Sequence, residues 1–162
     1  MRLNISKDME QISCTYNSPL GWLEITTEKD TILSLKFVPQ PKKQIPYSSL
    51  FQKEIVKQLK AYFEHKNYDF NFKLSVSGTL FQKKVWAILK EIPQGSTISY
   101  LKIAQRYGNT KAVRAVAGAI SKNPILILVP CHRVVGSDGS LVGYSGGLAN
   151  KKALLTHEGY RG

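Results

Sequence analysis

The sequence predicts an α+β fold in two parts, a first half rich in strands and a second half that is mostly helical. Residues 11–38 are rich in β-formers interrupted by short turns, whereas residues 79–121 carry apolar side chains at helical spacing behind polar capping residues. The 162 residues are enough for two small subdomains with a hydrophobic core. Residues 75–78 are the expected boundary, which gives subdomains over residues 1–77 and 78–162.

Four strands are expected in the first half. Residues 11–17, 22–27 and 31–38 are rich in β-formers and are separated by turn residues. Residues 68–74 alternate aromatic and polar side chains, which predicts the fourth strand. A helix is expected before it, because apolar residues recur at helical spacing behind Ser48 or Ser49; they are Phe51, Ile55, Leu59 and Tyr62. Cys14 lies among the β-formers and is expected to be structural.

The second half predicts a helix-turn-helix. Thr79, Ser99 and Thr110 are each expected to cap a helix, and the three helices end near residues 92, 107 and 121. Gly108 separates the second and third helices, and two short helices joined by a glycine-containing turn form a helix-turn-helix. A last helix is expected over residues 148–157.

The composition favours a polyanionic partner but does not establish one. The net charge is +12, from 23 lysines and arginines against 11 acidic residues, and phosphate contacts dominate nucleic-acid affinity. No apolar run approaches the roughly 20 residues of a membrane span, and no secretory signal is visible, so a cytosolic or nuclear protein is expected. The two cysteines and three histidines lack zinc-ligand spacing, so no metal is expected.

A candidate nucleophile lies in Pro130-Cys131-His132-Arg133-Val134, directly after the apolar residues 125–129, which predict a buried strand. The thiolate is the reactive form of cysteine, and a nearby base or cation can lower the thiol pKa from its free value of about 8.5. Adjacent side chains of an extended segment diverge, however, so Cys131 and His132 need not touch. From the pair alone, a buried apolar thiol beside a polar loop residue is equally plausible.

The second helix of the predicted helix-turn-helix is unusually rich in small residues. A helix that reads base edges in the major groove generally presents long polar side chains, which alanine and glycine cannot supply. Small residues let a helix backbone approach a narrow groove that is read for shape and phosphates, although a tightly packed core helix would also use them. Arg114 is a long cation in this apolar helix, and by itself fits a surface ion pair.

Motifs on both sides of Cys131 strengthen the case for chemistry there. They are Asn123-Pro124, the alanine-rich residues 111–119, Tyr144-Ser145-Gly146-Gly147 and His157-Glu158-Gly159. With Pro-Cys-His-Arg-Val, they make residues 78–159 resemble the O6-alkylguanine-DNA alkyltransferase family, the suicide DNA-repair proteins. The resemblance implies a small ribonuclease-H-like N-terminal α/β subdomain and a mostly helical C-terminal subdomain that is winged-helix-like.

The resemblance also implies an activity. The protein would bind double-stranded DNA in the minor groove, extrude O6-alkylguanine and transfer the alkyl group irreversibly to Cys131, so that each molecule acts once. O4-alkylthymine could be a second substrate. The resemblance implies no cofactor and no membrane partner. Some relatives carry a structural zinc in the N-terminal part, but nothing in this sequence supports one. It implies a monomer that could bind cooperatively along DNA.

Five residues acquire catalytic roles through the resemblance. Cys131 is the nucleophile, His132 is the general base acting through a water, and Glu158 orients the imidazole. Asn123 positions the segment, and Tyr100 helps to rotate the nucleotide and gives a proton to guanine N3. Without the resemblance, Asn123 would be a turn residue before proline, Glu158 a solvated carboxylate and Tyr100 a core or capping aromatic.

Other residues would contact the DNA or the base. Arg114 would fill the stack space of the extruded nucleotide, beside Thr110, Ala112, Ala115 and Gly118. Tyr144, Ser145, Gly146, the main chain of Val134 and Lys151 would form the alkylguanine pocket, although a helical lysine is usually just solvated. Arg133 is expected to brace the two halves or to meet phosphate. Leu126 and Gly143, expected beside the pocket, replace a proline and an asparagine of some relatives and leave open which bulky alkyl groups are accepted.

Two rival functions remain open. One is a non-catalytic module that senses alkyl damage or regulates on DNA. The other is a cysteine hydrolase, which is motivated only by Cys131, His132 and Glu158. A hydrolase has no evident use for a small-residue helix that carries Arg114, so this reading ranks last.

Overall fold

The computed structural model describes residues 10–162, and the chain divides into two compact units between Val76 and Ser77. The first unit is a four-stranded sheet with one helix, and the second is mostly helical. The predicted α+β class is therefore confirmed. The first nine residues of the predicted N-terminal subdomain lie outside the described range. Within residues 10–162, no helix combines the length and the apolar character that a membrane crossing requires.

Three antiparallel strands form most of the sheet in the first unit: β1 (Gln11–Ser18), β2 (Gly21–Glu28) and β3 (Thr31–Val38). The three predicted strands are thus confirmed to within one residue. Cys14 pairs with Ile25 across β1 and β2, and both side chains are fully buried. Burial raises the pKa of the Cys14 thiol to about 11, which suits the structural role predicted for it.

One helix, α1 (Leu50–Glu64), packs on this sheet through an apolar stripe and through a buried amide. The hydroxyl of Ser49 caps it by accepting a hydrogen bond from the backbone N–H of Gln52 at 3.0 Å. The Gln52 side chain is fully buried and donates to the carbonyl of Ile12 and the hydroxyl of Thr27, at 3.3 and 3.4 Å. The helix is therefore fixed on the sheet by polar bonds as well as by apolar packing.

The strand predicted over residues 68–74 is wrong except for its last two residues. Only β4 (Lys73–Leu74) is a strand, and it pairs in parallel with the start of β3. The ring of Phe70 packs 5.4 Å from that of Tyr62, and the ring of Phe72 lies 5.8 Å from that of Phe51. The backbone of residues 68–72 forms no strand, so the alternating aromatic side chains of this segment reflect its packing onto α1.

The second unit contains four helices and a small parallel sheet. They are α2 (Leu80–Leu89), α3 (Tyr100–Tyr107), α4 (Val113–Ser121) and α5 (Leu148–His157), with β5 (Ile98–Ser99) and β6 (Val134–Val135) as the two strands. Helices α2, α3 and α4 pack against one another, and α3 and α4 form the predicted helix-turn-helix.

Two of the three predicted helix caps are confirmed. Thr79 forms a reciprocal capping box with Gln82, and the Ser99 hydroxyl accepts a hydrogen bond from the third residue of α3. Thr110 is not a cap, because the Asn109 side chain caps a 3-10 turn there and α4 begins only at Val113. Helix α2 also ends earlier than predicted, and the buried Ile92 lies in the turn that follows it.

Residues 125–129 are buried as predicted, except for the half-buried Leu128, but residues 126–128 form a turn where a strand was expected. The side-chain oxygen of Asn123 accepts a hydrogen bond from the N–H of Ile125 at 3.0 Å, and its amide donates to the carbonyl of Val129 at 2.8 Å. Ile127 adopts a φ of 70°, which no strand permits. Hydrophobicity alone does not separate a short buried strand from a buried turn that a polar side chain supports.

Candidate functional site

The candidate nucleophile lies in a 3-10 turn formed by Cys131–Arg133, which leads directly into β6. Strand β6 pairs with β5, and Tyr100 follows β5 at the start of α3. This pairing places Tyr100 near the turn, although the two positions are about 30 residues apart in the chain. The Cys131 residue is only 3% exposed, and its backbone N–H donates to the carbonyl of Val129 at 2.8 Å.

The Cys131 thiol accepts a hydrogen bond from the side-chain amide of Asn123 at 3.2 Å. Burial raises the pKa of the thiol to about 11, although this hydrogen bond and the charge of Lys151 act in the opposite direction. The sulfur is therefore protonated at neutral pH in the free protein. A reaction at this sulfur needs a base that removes the proton, since the thiolate is the nucleophile.

A buried carboxylate joins the two residues that follow the cysteine. Glu158 accepts a hydrogen bond from His132 Nε2 on Oε1 at 2.9 Å, and it accepts two from the guanidinium of Arg133, on Oε1 at 2.8 Å and on Oε2 at 2.9 Å. Burial alone would raise the pKa of Glu158, but the hydrogen bonds from Arg133 and His132 lower it to about 2. Glu158 is thus a buried anion, not the solvated carboxylate that its sequence position alone suggests.

The histidine is fully buried and electrically neutral at pH 7. Burial lowers the pKa of His132, and the hydrogen bond and charge of Glu158 oppose this only in part. Its Nδ1 atom has no hydrogen-bond partner among residues 10–162, and the same is true of the buried Tyr144 hydroxyl. The two rings lie edge to face with centroids 6.5 Å apart. A water between the Cys131 thiol and His132 would have Nδ1 available as its acceptor.

Cys131 lines a cavity of about 690 Å³. Its walls come from the start of α3, one face of α4, the Cys131 turn and the loop before α5; the lining residues are Tyr100, Leu101, Val113, Arg114, Ala117, Ile120, Ser121, Cys131, Ser137, Val142, Gly143, Tyr144 and Ser145. Most of this surface is apolar. The volume lies in the range typical of pockets that enclose a small organic ligand.

The structure brings only part of the predicted pocket together. Tyr144 and Ser145 line the cavity, whereas Val134, Gly146 and Lys151 do not. Val134 is buried in β6, and the carbonyl of Gly146 accepts a hydrogen bond from Asn150 in α5. Gly143 lines the cavity as expected, but Leu126 does not, because it is buried in the turns before Cys131.

Lys151 does not line the cavity but binds the backbone of the loop that does. Its side chain is fully buried, and Nζ donates to the carbonyls of Val142 and Gly143 at 3.0 Å each, so it is not a solvated helix-surface lysine. Burial lowers the pKa of Lys151 to about 8. The Tyr100 hydroxyl donates to the same Val142 carbonyl at 3.0 Å. Two side chains from different helices thus fix the wall that carries Tyr144 and Ser145.

Helix α4 has one buried face and one open face. Val116, Ala119 and Ile120 are buried, and the Trp86 indole N–H donates to the carbonyl of Ala119 at 2.9 Å. Arg114, Ala115 and Gly118 are exposed on the other face, with Thr110 exposed and Ala112 half-buried just before the helix. A Cβ atom at Gly118 would meet no other atom within 4 Å. Packing within the chain therefore does not require a small residue at this position.

Arg133 is the main site residue whose contacts sequence reasoning missed. It was expected to brace the two halves of the chain or to meet phosphate, but its guanidinium is buried against Glu158 and the carbonyl of Ile92. The only signal in the sequence was its position next to His132. The cavity residues Leu101, Ser137 and Val142 were also missed, because nothing in their local sequence marks them. Among residues 10–162, no three potential metal ligands converge.

Two family models match most of the chain. The model described as 6-O-methylguanine DNA methyltransferase, ribonuclease-like domain, matches residues 13–76. The model described as 6-O-methylguanine DNA methyltransferase, DNA binding domain, matches residues 80–160. The first match agrees with the predicted ribonuclease-like N-terminal subdomain, and the second covers every residue of the candidate site from Tyr100 to Glu158.

Curated relatives and solved structures point the same way. A methylated-DNA–protein-cysteine methyltransferase of Methanosarcina acetivorans is 44% identical over 149 residues, which cover 89% of this chain and 96% of the relative. A protein of the same name from Mycobacterium leprae is 42% identical over 147 residues, 88% of each chain. The crystal structure of Mycobacterium tuberculosis OGT in complex with DNA superposes with a TM-score of 0.81 at 41% identity, covering 89% of this chain and 90% of the other.

Proposed function

The chain belongs to the 6-O-methylguanine DNA methyltransferase family, and from this premise we propose that it repairs double-stranded DNA by moving the alkyl group of O6-alkylguanine onto Cys131. The observation that carries the proposal is the position of the sulfur. Its residue lines an apolar cavity, the sulfur accepts a hydrogen bond from Asn123, and the exposed Arg114 of α4 lines the same cavity. O4-alkylthymine is a second candidate substrate because it carries its alkyl group on an equivalent exocyclic oxygen.

The reaction is a displacement at carbon. The Cys131 proton passes to His132 Nδ1 through a water, and the sulfur forms a bond to the alkyl carbon as the bond between that carbon and guanine O6 breaks. The electron pair of the broken bond stays with guanine, which takes up a proton that Tyr100 donates at N3. The products are S-alkylcysteine and unmodified guanine, so the protein is consumed and no cofactor is needed.

Base chemistry of this kind requires the nucleotide to leave the duplex, at a cost of a few kcal/mol. The open face of α4 suits the minor groove, because Ala115 and Gly118 let its backbone approach closely and present no side chain that reads bases. Arg114 lies on this face and also lines the cavity, so it is placed to fill the gap that the extruded nucleotide leaves. We propose that the protein acts as a monomer where the DNA is, in the cytoplasm or, in a eukaryote, the nucleus.

The relatives do not favour the rival functions. A damage sensor performs no transfer chemistry. It therefore has no need for a thiol that is hydrogen-bonded to the buried Asn123 amide and followed in the chain by a histidine paired with a buried glutamate. A cysteine hydrolase has no evident use for the small-residue helix α4, whose Arg114 lines the same cavity as Cys131. Stoichiometric inactivation separates alkyl transfer from both rivals, because a sensor takes up no alkyl group and a hydrolase turns over.

The proposal is tested by mass spectrometry after incubation with duplex DNA that contains one O6-methylguanine. The expected result is a gain of one methyl group in the peptide that carries Cys131, with loss of O6-methylguanine from the DNA in equal amount. Cys14 is the internal control, since it is also buried but belongs to the first unit. A matching duplex with normal guanine and a Cys131→Ser variant should give no gain. Methylation of Cys14 alone, or of neither cysteine, would overturn the proposal.

A further inference from the structure

One carboxylate oxygen of Glu158 accepts hydrogen bonds from two different residues. Its Oε1 atom accepts a hydrogen bond from His132 Nε2 at 2.9 Å and one from Arg133 Nη2 at 2.8 Å, and its Oε2 atom is occupied by Arg133 Nε at 2.9 Å. The Arg133 guanidinium also donates to the carbonyl of Ile92, in the turn after α2. The arginine is 7% exposed, so this is a buried, bidentate ion pair with fixed geometry.

This arrangement determines which nitrogen of His132 carries the proton. An ionised carboxylate only accepts hydrogen bonds, so Nε2 must be protonated to meet Glu158. The other nitrogen, Nδ1, is buried and has no partner among residues 10–162. A second proton on Nδ1 would leave a buried charged donor without an acceptor from the protein, which is costly. The geometry therefore favours a neutral ring with a bare Nδ1.

We propose that Arg133 is a positioning residue for the transfer reaction, because its guanidinium binds Glu158 so strongly that the carboxylate orients His132 without converting it to an imidazolium. In a simple His–Glu pair, the carboxylate would favour the charged imidazole. Here the cation of Arg133 compensates the charge of Glu158, because it binds Oε2 and also the Oε1 atom that accepts the hydrogen bond from His132. The histidine is thereby kept able to accept the thiol proton. This inference rests on the proposed alkyl transfer to Cys131.

The charges around His132 set the direction of the effect. Glu158 favours the protonated ring, whereas Arg133 and the Lys151 ammonium of α5 disfavour it, and burial disfavours it most. Cys131 and Tyr144 also face this region, but both are neutral at pH 7 because burial raises their pKa values. Removing the Arg133 charge should therefore raise the pKa of His132. A nearby charge is generally worth 1 to 3 pKa units, and we expect a rise of about one unit.

The first experiment is an NMR titration of the imidazole nitrogens in the wild-type protein. His132 should remain neutral, with its proton on Nε2, at about pH 6, which is below the ordinary histidine pKa of roughly 6.5. A ring that carries both protons at this pH would overturn the proposal. The measurement uses no DNA, so its result stands whether or not methyl transfer is observed.

The second experiment is the pH dependence of methyl transfer in Arg133→Gln and Arg133→Lys. The glutamine variant should shift the acid limb of the rate upward by about one pH unit. The lysine variant loses the bidentate contact but keeps the charge, so the pH of its acid limb should stay close to that of the wild type. Lys152→Gln removes an exposed charge from α5 and should leave the acid limb unchanged. An equal loss of rate at every pH in Arg133→Gln would mean a purely structural role. If Arg133→Gln does not fold, the wild-type titration and Arg133→Lys still decide.

Discussion

Replacing Asn123 with alanine should destabilise the protein and slow its reaction at once. The Asn123 side chain makes three hydrogen bonds, with the N–H of Ile125, the carbonyl of Val129 and the thiol of Cys131. Ile125 is fully buried, so alanine would leave its N–H without an acceptor, whereas the Val129 carbonyl keeps the hydrogen bond from the N–H of Cys131. One unpaired buried group costs about 1–3 kcal/mol, which gives an expected loss of roughly 2 kcal/mol in the free energy of unfolding.

Urea denaturation measures this loss, and Asn150→Ala is the matched control. The Asn150 amide makes one hydrogen bond, to the carbonyl of Gly146 at 3.0 Å in a half-buried position, so its removal should cost about 1 kcal/mol or less. Asn123→Asp should react even more slowly than Asn123→Ala, because a carboxylate beside the sulfur disfavours the thiolate. The reasoning is refuted if Asn123→Ala is no less stable than Asn150→Ala.

Three further predictions follow from the same structure. Arg114→Ala should change the free energy of unfolding by less than about 0.5 kcal/mol. It should slow methyl transfer from duplex DNA at least roughly tenfold and leave transfer from a free O6-alkylguanine base unchanged. If the variant and the wild type reacted equally fast with duplex DNA, the extrusion role would be contradicted. Gly118→Leu should have a melting temperature no lower than that of the wild type, because a Cβ atom at this position meets open space. The variant should nevertheless bind duplex DNA more weakly, which fluorescence anisotropy measures. An unaltered affinity would mean that α4 does not contact the DNA. Glu158 has an ordinary pKa of 4.5 and a folded-state pKa of about 2, so its ionised form stabilises the fold by roughly 3 kcal/mol above pH 4.5, and this stabilisation is lost as the pH falls toward 2. In urea denaturation at decreasing pH, the free energy of unfolding should therefore fall less steeply for Glu158→Gln than for the wild type. An identical fall in both proteins would be evidence against this role of Glu158.

Much of the fold could be predicted because local signals and tertiary structure agree. The strands β1 to β3 are rich in β-formers and are separated by short turns, and the caps at Thr79 and Ser99 are local hydrogen-bond motifs. The errors occur where a distant contact decides. Residues 68–74 have the alternation of a strand because their aromatic side chains dock on α1, and residues 125–129 turn because Asn123 binds both ends of the segment.

The candidate site divides in the same way. Cys131, His132, Asn123 and Glu158 stand in sequence motifs, and the structure places them in contact as two hydrogen-bonded pairs. The contacts of Lys151 were not predictable, because its acceptors are main-chain carbonyls and any sequence supplies those. Arg133 could not be assigned to Glu158 either, since 25 residues separate them and only the packing of α5 brings the carboxylate back to the turn.

The burial of the reactive sulfur has a consequence for a protein that works only once. Any peroxide, metabolite or drug that modified Cys131 would destroy a whole molecule without restoring a single base. A protonated sulfur with 3% exposure reacts slowly with such compounds, because the thiolate is the reactive form and the pKa of this thiol is raised to about 11. Burial of the thiol therefore keeps Cys131 unmodified until alkylated DNA binds and places its alkyl carbon next to the sulfur.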